Sequence, residues 1–229
     1  MKKTLIALSL ALFTLACDSH HYEKQAVRFH DDGRAKAIVT ITSIYDHQDI
    51  KLPWSLAEDL TDMIRTRLIN KGNVFVANPP LPKVENEEEP SITVLEHYDE
   101  NKSLVVHNEN LKAKFPDSEF VVFMELAQHQ VHPKQENDSF IDKITPSHAL
   151  DISLRIRIYD LRGEIPKVIL QEMIEQKHLL PKQFAKLDYD SALWGKKTYS
   201  ISPMGFAHAQ LVKEISNRIE NYLILAKTK

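Results

Sequence analysis

Only one cysteine stands among the 229 residues, at position 17, so no disulfide can close within the chain and cysteine chemistry would rest on that single thiol. Glycine is nearly as scarce, at five, which leaves little material for the glycine-rich loops that cradle phosphates. No P-loop, no Gly-x-Ser-x-Gly elbow and no His-Glu-x-x-His occurs. Beyond residue 16 no apolar run approaches the ~20 residues of a spanning helix; the best, 121–127, is interrupted by Glu125. A basic surplus is missing too: the net charge of −3 argues against a general nucleic-acid binder.

What is present begins at residue 1. Met1-Lys2-Lys3 is a short basic start, 4–13 is apolar without a charge, and Thr14-Leu15-Ala16-Cys17 closes the segment, which is the three-part layout of an export signal. An opening that ends in Leu-Ala-Cys resembles the bacterial lipoprotein signal. That resemblance implies acylation of Cys17, removal of 1–16 as a signal peptide, and a body tethered to a membrane through its lipid. Asp18, directly after the cysteine, would mark inner-membrane retention under the enteric sorting rule, which varies between bacteria and leaves the outer membrane open. Loss of 1–16 would leave 213 residues with a net charge of −5, since Lys2 and Lys3 depart without an acid. That length suits one domain with a sizeable core.

The polar stretch 17–34 reads as lipid anchor and tether; as a flexible coil its 17 residues after Cys17 average about 23 Å end to end. Its histidines and aspartates invite a metal, but a closed site needs ordered ligands, so a solvated linker is the simpler reading. A domain is expected over 35–229. Residues 35–45 are rich in β-branched side chains and read as a buried strand. Ser55-Leu-Ala-Glu58 is a capping box, Leu56, Leu60, Met63, Ile64 and Leu68 form one apolar stripe, and Gly72 can take the left-handed turn that ends a helix. A short strand at 74–77 completes a strand-helix-strand unit over 35–77, most simply parallel.

Residues 78–90 hold four prolines and the acids Glu85, Glu87, Glu88 and Glu89, so regular structure is excluded there; the segment is either a solvated excursion or an acidic partner-binding loop. Between 91 and 116 the pattern is ambiguous, with a short helix near 108–115 and strand candidates at 92–95 and 104–106. Strands are expected at 119–131, 149–160 and 167–179, an antiparallel meander over 119–179. In the second, Leu150, Ile152, Leu154, Ile156 and Ile158 alternate with Asp151, Ser153, Arg155, Arg157 and Tyr159, a period of two. Asp160-Leu-Arg-Gly163 supplies the turn that follows. Residues 181–200 are irregular and carry Phe184, Tyr189, Trp194 and Tyr199, which either line a ligand groove or pin a long segment to the core. Ser202-Pro203 then opens a long C-terminal helix with an apolar stripe through Val212, Ile215, Ile219, Tyr222, Leu223 and Ala226. The expected fold class is α/β, a single domain with a mixed sheet.

Three stretches, 38–43, 52–76 and 154–163, resemble a periplasmic lipoprotein-domain group that includes the amino-terminal domain of TolB, CsgG and LpoB. The last, Leu-Arg-Ile-Arg-Ile-Tyr-Asp-Leu-Arg-Gly, is similar to that group's strand, Asp, turn, Gly, strand hairpin. None of these stretches is a catalytic motif, so the resemblance implies fold and setting, not chemistry.

No catalytic residue, metal ligand set or cofactor is assigned. His129 and His132 would point to opposite faces of one strand and make poor co-ligands, and Glu58 with Asp62 is accounted for by an exposed helix face. The expectation is a non-catalytic, lipid-anchored accessory or adaptor of the bacterial envelope that binds another envelope protein, for example in cell-wall synthesis or assembly, and no nucleic acid. Its lipidation residue is Cys17, and its candidate partner or ligand surface is Tyr189, Trp194, Tyr199, Glu87, Glu88 and Glu89. Two alternatives remain: an oligomeric export-channel subunit resembling CsgG, which needs spanning strands of about 9–11 residues, and a ligand-binding protein or hydrolase built on the 181–200 aromatics.

Overall fold

The computed structural model describes residues 27–46, 55–78, 97–98, 104–105, 111–133, 147–181 and 197–228. The elements in chain order are β1 (Ala37–Ile41), β2 (Tyr45–Asp46), α1 (Leu56–Lys71), β3 (Val74–Ala77), β4 (His97–Tyr98), β5 (Leu104–Val105), α2 (Leu111–Lys114), β6 (Phe120–Pro133), β7 (Ser147–Asp160), β8 (Lys167–Pro181), α3 (Lys197–Ser200) and α4 (Pro203–Lys227). One mixed sheet runs β3-β1-β6-β7-β8, with β2 alongside β6. β1 is parallel to both β3 and β6, whereas β6, β7 and β8 are antiparallel in succession. The expected parallel unit and the expected meander are therefore halves of one sheet that meet at β6, and among the described residues that sheet is open.

Local chemistry sets the boundaries of α1. Ser55, in extended conformation, accepts the Glu58 backbone N–H at 3.2 Å, and Gly72, at φ 70°, donates its own N–H to the Leu68 carbonyl at 3.2 Å. The Gly72 geometry is the left-handed C-cap that favours glycine. The stripe between them, Leu56, Leu60, Ile64 and Leu68, is buried. In α4, Ser202 accepts the Gly205 N–H at 3.0 Å ahead of Pro203, and Leu211, Val212, Ile215, Ile219 and Leu223 are buried. Both helices lie on one face of the sheet. There their stripes meet Val39, Ile41, Phe120, Val122, Met124, Leu126, Ile152, Leu154, Ile156 and Ile158 in a single core. Full burial of each such side chain contributes about 1.5–3 kcal/mol, so the alternation of β7 is used by this core. The opposite face carries a smaller cluster in which α2 and Phe115 cover Val121, Phe123, Tyr159 and Leu161.

The strands of the meander run on further than in the sequence reading, to Pro133 in β6, from Ser147 in β7 and to Pro181 in β8, and α3 lies within the stretch read as irregular. Two further boundaries differ for a local reason. Residues 35–45 do not form one strand: β1 ends at Ile41 and the chain turns before β2. The cause is competition for backbone groups, because Thr42 binds the Val122 carbonyl through both its N–H and its hydroxyl, while the Ile44 N–H goes to the Thr61 hydroxyl on α1. The body also reaches back into the stretch read as tether. Lys36 N–H donates to Arg28 O at 2.9 Å, Phe29 bridges Ala35, and the Arg28 guanidinium sits 5.1 Å from the centre of the Phe75 ring, so 27–36 fold back beside the sheet. The helix expected near 108–115 is α2, β5 coincides with the 104–106 candidate, and 92–95 lies outside the described residues.

Beyond β7, the turn forms as its residues dictate. The Asp160 carboxylate accepts the Arg162 backbone N–H at 3.0 Å and the guanidinium at 2.7 Å. Arg162 also donates to the Ala226 carbonyl at 2.8 Å and stacks over Phe120, tying the β7–β8 turn to the last turn of α4. No described helix is long and apolar enough to cross a membrane.

Candidate functional site

The buried end of the sheet beneath the start of α4 is where ionisable groups converge. β6 contains a β-bulge between Leu126 and Gln128, so that Leu126 faces Leu154 and Gln128 already faces Ser153. Such a bulge inserts one residue and re-aims the side chains beyond it. His129, which strict alternation would place opposite Leu126's face, is thereby turned onto the helix-bearing face. On α4, His208 falls at helical spacing between Met204 and Leu211, all three buried.

The two imidazoles meet there, with His129 Nε2 and His208 Nε2 2.9 Å apart and ring centres 5.1 Å apart. His208 is 1% exposed and His129 9%. On its other side, His208 Nδ1 is hydrogen-bonded to the Tyr199 hydroxyl. Both ring nitrogens of His208 are thus engaged. Tyr199 is held by a small apolar cluster with Leu150, Leu180, Met204 and Ala207. The neighbouring Gly205 is required by close approach, since a Cβ there would come within 2.0 Å of the Tyr199 carbonyl oxygen. From β8, His178 approaches the same region with its Nε2 3.0 Å from Gln176 Oε1.

Burial pushes the His208 pKa well below the ordinary 6.5, and the charges that His129 and His178 would carry push it further down. Burial likewise lowers His129, opposed by a backbone hydrogen bond and by the carboxylate of Asp46 at the end of β2. His178 is lowered by burial alone. At neutral pH the pair is therefore uncharged, sharing one proton across the Nε2–Nε2 contact. It can exchange protons and tautomers along Tyr199, His208 and His129. Among the described residues no group of three or more His, Cys, Asp or Glu side chains is arranged to hold a metal ion.

Of the residues expected to carry lipidation, sorting or the partner surface, Tyr199 is the one described, and it is buried in the apolar cluster instead of lining a surface. Tyr189, Trp194, Glu87, Glu88, Glu89, Cys17 and Asp18 lie outside the described residues. His129 and His132 do point to opposite faces: His132 Nε2 lies 3.6 Å from an Asp151 carboxylate oxygen, away from His208. His208 was missed by the sequence reading. Its signal was available, as a histidine at a stripe position one turn before Leu211.

Over residues 25–227 the sequence matches a family described as "Family of unknown function (DUF7499)", and the chain belongs to that family. No curated protein matches it. Among solved structures, the hypothetical protein CT253 from Chlamydia trachomatis is similar in fold, with a TM-score of 0.59 and 21% identity; the alignment covers 82% of this chain and 98% of that one. Two structures described as lipoproteins match more weakly. The minor lipoprotein from Acinetobacter baumannii has a TM-score of 0.37 and 8% identity, with 82% and 92% of the two chains covered. Lipoprotein GNA1162 from Neisseria meningitidis has a TM-score of 0.35 and 11% identity, with 79% and 99% covered.

Proposed function

We propose that this member of the family is a lipid-anchored, non-catalytic accessory protein of the bacterial envelope that works by binding another envelope protein. The observation that carries the reading is the opening: a basic start, an apolar run and Leu15-Ala16 ahead of the only cysteine of the chain. Acylated at Cys17, the chain would hold its body close to the bilayer. Ten residue steps separate Cys17 from Val27, where the described body begins, and at about 3.3–3.6 Å each they span about 35 Å at most. A partner must then be reachable by a body whose first described residue is held within that distance of the membrane, which is the inner one if Asp18 sorts as in enteric bacteria.

The resemblance of 38–43, 52–76 and 154–163 to the TolB, CsgG and LpoB group supports the same setting. The acidic residues Glu87, Glu88 and Glu89 and the aromatics Tyr189 and Trp194 remain the candidate partner surface.

The test is metabolic labelling with an alkyne fatty acid, followed by separation of inner and outer membranes. Wild-type protein is expected to take up label and to sediment with membranes, and Cys17→Ser to lose both. A labelled Cys17→Ser chain, or an unlabelled wild type, overturns the anchor. In-cell crosslinking with mass spectrometry is expected to return one envelope protein reproducibly; its absence from repeated experiments overturns the adaptor role while leaving the anchor intact.

A further inference from the structure

We propose that the His129–His208 contact is an acid-opened latch, which fastens α3 and the first turns of α4 onto the sheet at neutral pH and releases them when the facing imidazoles both take up protons. The geometry imposes this. With the two Nε2 atoms 2.9 Å apart, one hydrogen fits between them.

In the neutral pair, the Tyr199 hydroxyl donates to His208 Nδ1, and His208 Nε2–H donates to His129 Nε2. A first proton is accommodated: His208, as imidazolium, donates from Nδ1 to the Tyr199 oxygen and from Nε2 to His129. A second proton, on His129 Nε2, sets two N–H groups head to head and two positive charges in a buried space. The rings must then separate.

The groups facing the pair come from every element around it. They are Tyr199 from α3, His178 from β8, Asp46 at the end of β2, and His148 on the same face of β7, its Nδ1 buried without a hydrogen-bond partner. Four of the imidazoles therefore sit at one end of one face, and Asp46 is the carboxylate that offsets them. Among the described residues the buried histidines are His129 and His208, and both lie at this end. Protonation of imidazoles should thus act first on this end of the molecule.

The direction follows from linkage. The closed form holds His129 and His208 below their ordinary 6.5, so its advantage is complete above about pH 6.5 and is lost as the pH falls below it. Each proton taken up on opening multiplies the opening constant by about ten per pH unit, and two multiply it by about a hundred. Release would uncover Leu150, Leu180 and Met204, which Tyr199 and His208 now help to cover.

Hydrogen exchange read by mass spectrometry from pH 7.5 to 4.5, corrected for intrinsic rates, tests this on the whole body. Protection should fall in 199–210, 129–133 and 148–152, with a steepness above tenfold per unit, while 154–158 and 211–223 stay protected. His129→Gln keeps an acceptor for His208 and removes one proton site, so the steepness should drop by about tenfold per unit. If that variant fails to fold, Tyr199→Phe replaces it; losing the hydroxyl that accepts from the imidazolium should move the opening to higher pH. Protection that is independent of pH, that is lost evenly across the sheet, or that keeps wild-type acid response in the variant overturns the latch.

Discussion

Replacing Arg155 by Met should destabilise the fold, and adding Glu125→Gln to that variant should restore part of the loss. Glu125 and Arg155 face each other across β6 and β7 with Nη1 2.8 Å from the carboxylate, on the sheet face opposite the helices. The Glu125 side chain is 2% exposed and that of Arg155 24%. Breaking a buried pair from one side costs about 3–5 kcal/mol, because a charge is left behind in a poorly hydrated place. Water reaches Arg155, which discounts the loss to about 2–3 kcal/mol. For a body of this size that is a fall in Tm of about 5–10 °C. In the Arg155→Met background, Glu125→Gln exchanges a carboxylate that has lost its cation for a neutral amide and should recover about 1 kcal/mol. In the wild-type background the same substitution weakens a charge-assisted hydrogen bond and should cost about 1 kcal/mol. The reversal of sign between the two backgrounds is the diagnostic, read by urea unfolding of all four proteins. If Glu125→Gln destabilises the Arg155→Met variant as much as it does the wild type, the ion pair does not govern the stability of this face.

Two glycine substitutions separate backbone conformation from crowding. Gly72→Ala should cost about 1–2 kcal/mol through the left-handed φ alone, since the nearest atom to an added Cβ is 4.0 Å away; Gly72→Asn should cost less, and a urea midpoint equal to wild type for both would remove the C-cap explanation. Gly205→Ala should cost about 1–3 kcal/mol by driving a methyl into the Tyr199 carbonyl. It should also raise the His208 pKa toward 6.5 as the ring gains water, and an unchanged titration by NMR would contradict that.

The parts legible in the sequence were those fixed by residues near one another. Ser55, Gly72 and Ser202-Pro203 mark helix ends through hydrogen bonds made within a few residues, and β7 declares itself by alternation because one of its faces is fully committed to the core. What escaped depends on distant partners. The chain breaks after Ile41 because the Thr61 hydroxyl, on another element, takes the Ile44 N–H. Residues 27–34 look like a polar linker, yet Phe75 supplies a ring for Arg28. The candidate site was hidden for the same reason: His129 reaches His208 only through the bulge, and no local pattern announces an inserted residue in a strand whose first half is apolar on both faces and whose second half is mostly polar. His208 was open to detection from its stripe position, but a lone histidine on an apolar stripe has no evident partner until the sheet is folded beneath it.

The bulge in β6 also decides how this strand can change length over evolutionary time. Along most of 120–133, removing one residue would invert every side chain beyond the cut, sending Val122, Met124 or Leu126 toward the wrong face. At Ala127 the outcome is opposite. Two residues, Ala127 and Gln128, there oppose the single Ser153, so loss of one leaves a regular strand with His129 still beneath α4. An insertion at the same place that left the bulge intact would carry the imidazole across to the Asp151 side. In this family, a relative lacking one residue between the positions of Leu126 and His129 can keep the histidine pair on a regular strand.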